Sequence, residues 1–348
     1  GGRLRHGGAP VTGPSAARSA GQQGGTGRRR GRLRGARRER AMVPAAEFTS
    51  YYGRPVVKPS PWEADIPAYL FLGGLAGASS LLAAGADLTD NAALRRPTRI
   101  TAAAAILASL GALVHDLGRP ARFHHMLRVA KVTSPMSVGT WILTAYGPLA
   151  GLAAVAEARR LLPKKLADGI VGRLLPGVGR GAGLAAALLG PAVASYTAVL
   201  LADTATPSWH DARDDLPFVF IGSAAAAAGG MAMLTTPVAR AGPARRLAAA
   251  GSAFELAMNT RMESSMGLSA EPMHQGRAGQ YLRAARALTV TGALLAAVPA
   301  RRGRAVSMIS GAALVAGSAA TRFGIFHAGQ QSARDPRYTV VPQRQRLT

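Results

Sequence analysis

The chemistry-bearing side chains of this 348-residue chain gather in a few short segments. These are P-S-P-W-E-A-D-I-P at 59–67, H-D-L-G-R-P-A-R-F-H-H at 115–125, S-P-M-S at 134–137, P-S-W-H-D at 207–211 and E-P-M-H at 271–274. Carboxylates and imidazoles beside helix-ending prolines suit proton exchange and hydrogen bonding to a small ligand or partner; each charge alone is better read as a solvated loop residue, and it is their clustering on one face that favours a site. Gly118 and Pro120 impose a turn beside Asp116 and Arg119, which keeps a carboxylate and a guanidinium close together. Glu255 is different in kind. It interrupts an apolar stretch, with Asn259 at i+4 and Met262 at i+7 on the same helical face. A carboxylate in such a place is costly, so it marks either a proton path or an ion pair with an arginine of a neighbouring helix, such as Arg322.

The elements that hold these segments are uncharged runs: Ile66–Ala86, Ile100–Val114, Val132–Ala156, Gly181–Ala202, Leu216–Ala239, Leu247–Phe254, Ala287–Ala300 and Ala305–Thr321. A helix of about 20 residues crosses a hydrocarbon core. Four of the runs reach that length outright, and the last nearly does. The second and seventh reach it by taking in Thr98 and Arg99, or Arg283 and Arg286, whose long stems snorkel. The sixth continues through Glu255 to Met262. The pattern predicts an all-α integral membrane protein of eight transmembrane helices, arranged as two four-helix groups. Gly73 and Gly77 form a small-xxx-small pair for close helix approach. Trp62, Tyr69, Trp141, Tyr146, Trp209 and Phe218 fall near span ends and read mostly as an interfacial aromatic belt. The membrane domain then covers 66–322, between a pre-helix segment at 42–65 and a C-terminal tail at 323–348. All five polar segments fall on one face, side A, the side of residues 42–65.

The formal charge is +25, from 42 Lys and Arg against 17 Asp and Glu. In a soluble protein that balance suggests nucleic acid, but the long apolar runs exclude a soluble basic domain. Residues 1–41 hold eleven Arg and one acid, Glu39, with almost no large apolar residue. They read as a disordered tail, without the apolar core of a secretory signal, and as sequence upstream of a functional start at Met42. The remaining loops sum to +5 on side A and +11 on side B, which makes side B cytoplasmic and places both termini outside the cell membrane. There is no Cys, which excludes disulfides, thiolate metal sites and an iron–sulfur cluster bound by this chain itself. Redox work must use a partner's cofactor or a bound organic one. A b-type haem needs facing His ligands inside helices. His115 and His327 lie at span ends and His124, His125, His210 and His274 in loops, so haem is not expected.

In order along the chain, Tyr69-Leu70-Phe71-Leu72-Gly73-Gly74-Leu75-Ala76-Gly77, Asp116-Leu117-Gly118-Arg119-Pro120, Ser134-Pro135-Met136-Ser137-Val138-Gly139-Thr140-Trp141, Ser195-Tyr196-Thr197-Ala198-Val199-Leu200-Leu201 and Pro207-Ser208-Trp209 resemble the NrfD/polysulfide reductase membrane-subunit family. The resemblance covers roughly residues 50–345. It implies an eight-helix membrane anchor that binds a quinone, menaquinone or ubiquinone, and pairs with a ferredoxin-like iron–sulfur subunit, often beside a molybdopterin catalytic subunit. It further implies a quinone head-group site at the side-A ends of the first four helices, with Tyr196 of the S-Y-T motif as hydrogen-bonding residue. Ala198 stands where family members often have Gly. The implied cofactor-binding set is Tyr196, Trp62, Asp65, His115, Asp116, Arg119 and Ser134, with Trp62, Glu63 and Asp65 as options for the polar residue before the first helix. A tyrosine hydroxyl donates to a quinone carbonyl, and Asp116 or His115 at the boundary suits proton relay. Glu255 and Asn259 are candidates for a proton path.

Three functions fit these readings. The first is a quinone-reactive subunit of an iron–sulfur/molybdopterin-type oxidoreductase. The second is a secondary transporter using Glu255, and the third is a purely structural anchor. Transporters favour broken helices in matching halves. Pro148 and Pro191 interrupt spans three and four, yet no matching pair occurs in spans seven and eight.

Overall fold

Uncharged runs of Ala, Leu and Gly satisfy their backbone groups away from water by forming helix. The computed structural model describes residues 54–158, 169–297 and 303–345. The basic tail expected at 1–41, the start expected at Met42 and parts of the 157–180 and 301–304 loops lie outside the described residues. Eight long helices form: α1 (Asp65–Leu88), α2 (Ala92–Asp116), α3 (Pro135–Glu157), α4 (Ile170–Ala202), α5 (Leu216–Thr235), α6 (Gly242–Ser265), α7 (Gly276–Ala297) and α8 (Gly303–Arg334). No strand occurs among the described residues. Six of the helices, α1 to α5 and α8, are long and apolar enough to cross a membrane, and the chain is a multi-pass membrane protein. The other two, α6 and α7, are of comparable length but hold Arg245, Arg246, Glu255, Arg261 and Glu263, and Arg277, Arg283 and Arg286.

Several ends differ from the expected spans, α2 and α4 beginning at Ala92 and Ile170, before the uncharged runs that start at Ile100 and Gly181. Thr236-Pro237 stops α5 at Thr235, because proline restrains the residue before it to extended backbone. Past Thr321, α8 runs on to Arg334, since nothing in R-F-G-I-F-H-A-G-Q-Q-S-A breaks a helix. Arg322 is therefore not a loop charge. It is fully buried in the bundle.

Around the bundle, α1 lies against α2 and α4, and α3 against α4 and α2. Likewise α5 lies against α6 and α8, and α7 against α8 and α6. Contacts of α1 with α5 and α8, and of α4 with α5, join these sets. The closest approach is between glycines. A Cβ on Gly190 of α4 would sit 2.5 Å from the Gly77 carbonyl oxygen of α1, and a Cβ on Gly77 would collide with the Gly190 carbonyl. Only glycine lets the two backbones meet this way. The expected small-residue contact at Gly77 is thus present.

On side B the polar groups are more ordered than linker loops require. The side chains of Asp87 of α1 and Glu157 of α3 are both buried. Arg95 of α2 reaches Asp87 at 2.9 Å and Glu157 at 2.7 Å, and Arg99 reaches them at 3.4 and 2.8 Å. Arg180 of α4 joins at 3.4 Å from Asp87. The expectation that Arg99 snorkels outward is corrected: it is 5% exposed and turned into a four-helix ion network. The aromatic belt also needs correcting. Tyr69, Tyr146 and Trp209 are buried, because the polar ends of Tyr146 and Trp209 find partners inside, at Ser80 Oγ (2.7 Å) and the Ile325 carbonyl (2.8 Å). Trp141 and Phe218 do stay exposed.

Replacing Gly77 by Leu should force α1 and α4 apart and lower the melting temperature in detergent by about 5–10 °C. Gly85→Leu on the same helix, where a Cβ meets nothing within 4 Å, should leave it unchanged. Thermal unfolding of the two purified variants checks the contrast.

Candidate functional site on side A and the buried charge

Alternation of direction brings the start of α1, the end of α2, the start of α3 and the end of α4 to one face. There Asp65, in the first turn of α1, accepts or shares a proton with His115 at the end of α2, Oδ2 to Nδ1 2.8 Å. Glu63 and Asp116 lie close enough to act electrostatically on the same imidazole. Arg119 follows on the exposed turn into a 3-10 segment, Pro120–Arg128. Ser134 occupies the N-cap position of α3, but its hydroxyl makes no cap bond. The neighbouring Ser137 holds the preceding loop instead: its hydroxyl donates to the Val129 carbonyl at 2.8 Å and accepts the Lys131 N–H at 2.9 Å. Trp141 Nε1–H donates to the same carbonyl at 3.2 Å. The S-P-M-S-V-G-T-W motif is thus, in its serine and tryptophan, a loop clamp.

Tyr196 lies six residues before the end of α4, about 9 Å in from that end at helical rise. It is 8% exposed, and its hydroxyl has no hydrogen-bond partner among the described residues. Its ring packs flat on Gly139 of α3, where a Cβ would collide with it. Thr197 Oγ1, on the next residue, is also buried without a partner. An apolar cleft of about 450 Å³ runs between α2, α3 and the 3-10 segment, with Leu110, Leu113, Phe123, Leu127, Thr140 and Leu143 among its walls and no residue of α4 in its lining. Thr140 directly follows Gly139. Asp65, His115 and Asp116 thus lie together on side A, and Tyr196 lies apart from them in the helical interior.

Trp62 does not join either group. It stacks on Trp209 with centroids 5.9 Å apart, and Trp209 meets Phe326 of α8 at 5.6 Å. The short helix Pro207–Asp211 is locked under this stack by Ser208, whose N–H donates to Ser332 Oγ (3.2 Å) and whose hydroxyl donates to the Ser269 carbonyl (2.8 Å). Gln330 donates to the Ser60 and Trp62 carbonyls at 3.0 and 3.3 Å. In the E-P-M-H segment, Glu271 accepts from Arg337 (3.0 Å) and from the Tyr338 hydroxyl (3.3 Å). Burial, with Glu271 beside it, holds that phenol above its usual range. The proline-tryptophan motif thus builds a rigid cap over the second half of the chain, a role its sequence did not reveal.

Glu255 and Arg322 form the interior charge. Both are almost wholly buried, at 1% and 0% exposure. Thr321 Oγ1 donates to Glu255 Oε1 at 2.8 Å, and Arg322 Nη2 donates to the Phe220 carbonyl at 2.8 Å. The Arg322 guanidinium sits 4.1 Å above the Phe220 ring, and a Cβ on Gly74 of α1 would lie 3.4 Å from its Nη2. Glu255 Oε2 and Arg322 Nε and Nη1 have no hydrogen-bond partner in the described residues. Arg322 acts electrostatically on the Glu255 carboxylate, but no direct ion pair or hydrogen bond joins the two among the described residues, which corrects the direct ion pair the sequence suggests. Met262 shares the buried face, whereas Asn259 is only partly buried.

A multi-pass helical bundle with titratable groups collected on one face and a charge pair in its interior is a membrane subunit. The family model described as "Polysulphide reductase, NrfD" matches residues 56–267, from the pre-helix segment to just past α6, and the chain belongs to that family. Its members are membrane subunits of polysulfide reductase-like oxidoreductase complexes and generally function with iron–sulfur and molybdopterin subunits. A search of curated proteins finds no match to the chain.

Removing one partner of a buried pair leaves the other uncompensated, at about 3 kcal/mol or more. Arg322→Met and Glu255→Gln should each destabilise the purified protein, and the double variant should lose less than the sum. A double-mutant cycle on melting temperatures in detergent measures that coupling.

Proposed function

We propose that this chain is the quinone-reactive membrane subunit of its complex, exchanging electrons between the quinone pool and an iron–sulfur subunit docked on side A. The observation that carries the reading is the buried, unpartnered hydroxyl of Tyr196, whose ring packs on Gly139 of α3, the helix that also walls the apolar cleft. An orphaned buried donor is costly unless a ligand satisfies it, and a prenylated ring needs both a donor and an apolar channel. In this reading all eight long helices cross the bilayer, α1–α4 and α5–α8 each forming a four-helix group. When bound, the quinone, menaquinone or ubiquinone, takes up or gives up two electrons and two protons.

Tyr196 holds the head group through its hydroxyl, and Gly139 leaves room for the ring of Tyr196 to lie flat. The cleft between α2 and α3 accepts the isoprenoid tail. The Asp65–His115 pair, with Asp116 beside it, holds and passes protons to side A, where His115 is exposed. Glu255, with Asn259 on its helix, offers a second, interior path through α5–α8. Trp62 and Ser134 shape the surrounding loops, and Arg119 adds positive charge to the side-A surface where the partner sits. A molybdopterin subunit completes the complex beyond the iron–sulfur one.

Tyr196→Phe removes one hydrogen-bond donor and nothing else, so quinone-coupled turnover of the intact complex should fall about tenfold, with assembly unchanged. Unchanged turnover defeats the proposed site. Side B, the more basic face, is cytoplasmic in this reading. Because the chain has no Cys, single-cysteine labelling tests this cleanly. Gln343→Cys should react with an impermeant maleimide on intact cells, and Thr89→Cys only after permeabilisation; the opposite pattern inverts the topology.

A further inference from the structure

A second cavity, of about 710 Å³, lies on side A away from Tyr196, between the pre-helix segment Ser60–Ala64, the start of α7 and the end of α8. Its size falls in the range of small-ligand sites. Its apolar walls include Trp62, Pro67 and Phe326, and they are fixed in place. Trp62 is stacked on Trp209, and Gln330 ties the Ser60 and Trp62 carbonyls to α8. Its polar walls are cationic. Arg277 of α7 and Arg334 of α8 both act electrostatically on His327, which also lines the cavity.

None of these three has a hydrogen bond or ion pair among the described residues. Their neighbours do: Arg283 donates to the His274 carbonyl, Arg286 to Glu263 and Arg337 to Glu271. The acid on the cavity wall, Glu63, forms no ion pair with either arginine among the described residues. Two unpaired guanidinium groups therefore converge on a rigid, half-apolar recess at one end of the membrane helices. Guanidinium matches phosphate oxygens in geometry as well as charge.

We infer that this cavity binds a phosphate group carried on an apolar-bodied molecule, the phosphate between Arg277 and Arg334 and the apolar part against Trp62 and Phe326. An anionic phospholipid and a soluble organic phosphate share that chemistry. The inference is independent of the quinone reading, because none of its basic residues belongs to that site.

The test is native mass spectrometry of the full chain, purified in phosphatidylcholine micelles and offered phosphatidylglycerol. One phosphatidylglycerol should be retained in preference to phosphatidylcholine. Arg277→Gln and Arg334→Gln should each weaken retention about tenfold, while Arg344→Gln, the same charge change on the exposed C-terminal helix, should not. Melting temperature in phosphatidylcholine alone confirms that the variants are folded. Displacement of the lipid by millimolar glycerol 1-phosphate identifies a soluble phosphate as the ligand, and resistance to it identifies the lipid. Equal retention of the two lipids, or wild-type retention in the Arg277→Gln/Arg334→Gln double variant, overturns the inference. So does a cross-link from Arg334→Cys to an acidic segment of a partner subunit in the intact complex.

Discussion

The guanidinium of Arg322 constrains more of this bundle than any other group. A charge with no access to water must be met from several directions at once. Here α5 supplies a carbonyl and an aromatic face from Phe220, α6 supplies the opposite charge at Glu255, and α1 supplies space at Gly74. Helices far apart in sequence are thereby committed to one arrangement. Ser223 of α5 donates to Ser318 of α8 at 2.9 Å one turn away from Arg322, so the surroundings are polar as well as tightly packed.

Side B solves a similar problem differently. The side chains of Asp87 and Glu157 are buried at the ends of α1 and α3, and four arginines from α2 and α4 share them. Such a network, in which Arg95 and Arg99 each bridge both carboxylates, spreads over α1 to α4 and fixes the relative height of these helices. The Gly77–Gly190 crossing fixes how close α1 and α4 lie. Side A, by contrast, is held by aromatic stacking, by single hydrogen bonds to loop carbonyls and by separate ion pairs such as Arg261–Asp215 and Arg337–Glu271 rather than by one shared network.

Much of this was legible in the sequence because lipid imposes a coarse rule: uncharged runs become helices. Among the six apolar helices, α1, α3 and α5 sit on runs close to their observed bounds, α2 and α4 begin eight and eleven residues before theirs, and the sixth, α8, begins close to where expected. Its extension to Arg334 was missed because polar residues after Thr321 read as a loop, although none of them breaks a helix. The Gly73/Gly77 pair pointed to close packing, and Glu255 to an arginine on another helix. Burial of individual aromatics was not legible. Trp209 and Trp141 both lie near span ends, yet one is sealed under α8 and the other exposed, because a partner carbonyl from residue 325 is invisible in local sequence. The cationic cavity had a faint signal, His327, Gln330 and Arg334 recurring at three to four residues on one helical face. Its other wall comes from residues far earlier in the chain.

A chain without cysteine cannot hold an iron–sulfur cluster on thiolates of its own, so on the proposed reading electrons must cross an interface to reach it. Electron exchange with a partner outside the bilayer favours a reacting group near a helix end, yet an isoprenoid tail must stay in the apolar region. Tyr196 suits both requirements: it is within two helical turns of the side-A end of α4, and its ring packs on α3, which walls the apolar cleft. Protons face a separate constraint, since they must come from water. The Asp65–His115 pair is placed at the aqueous edge, with the imidazole largely exposed. Separating the apolar, hydrogen-bonding and titrating parts along α1 to α4 lets each keep the environment its chemistry needs.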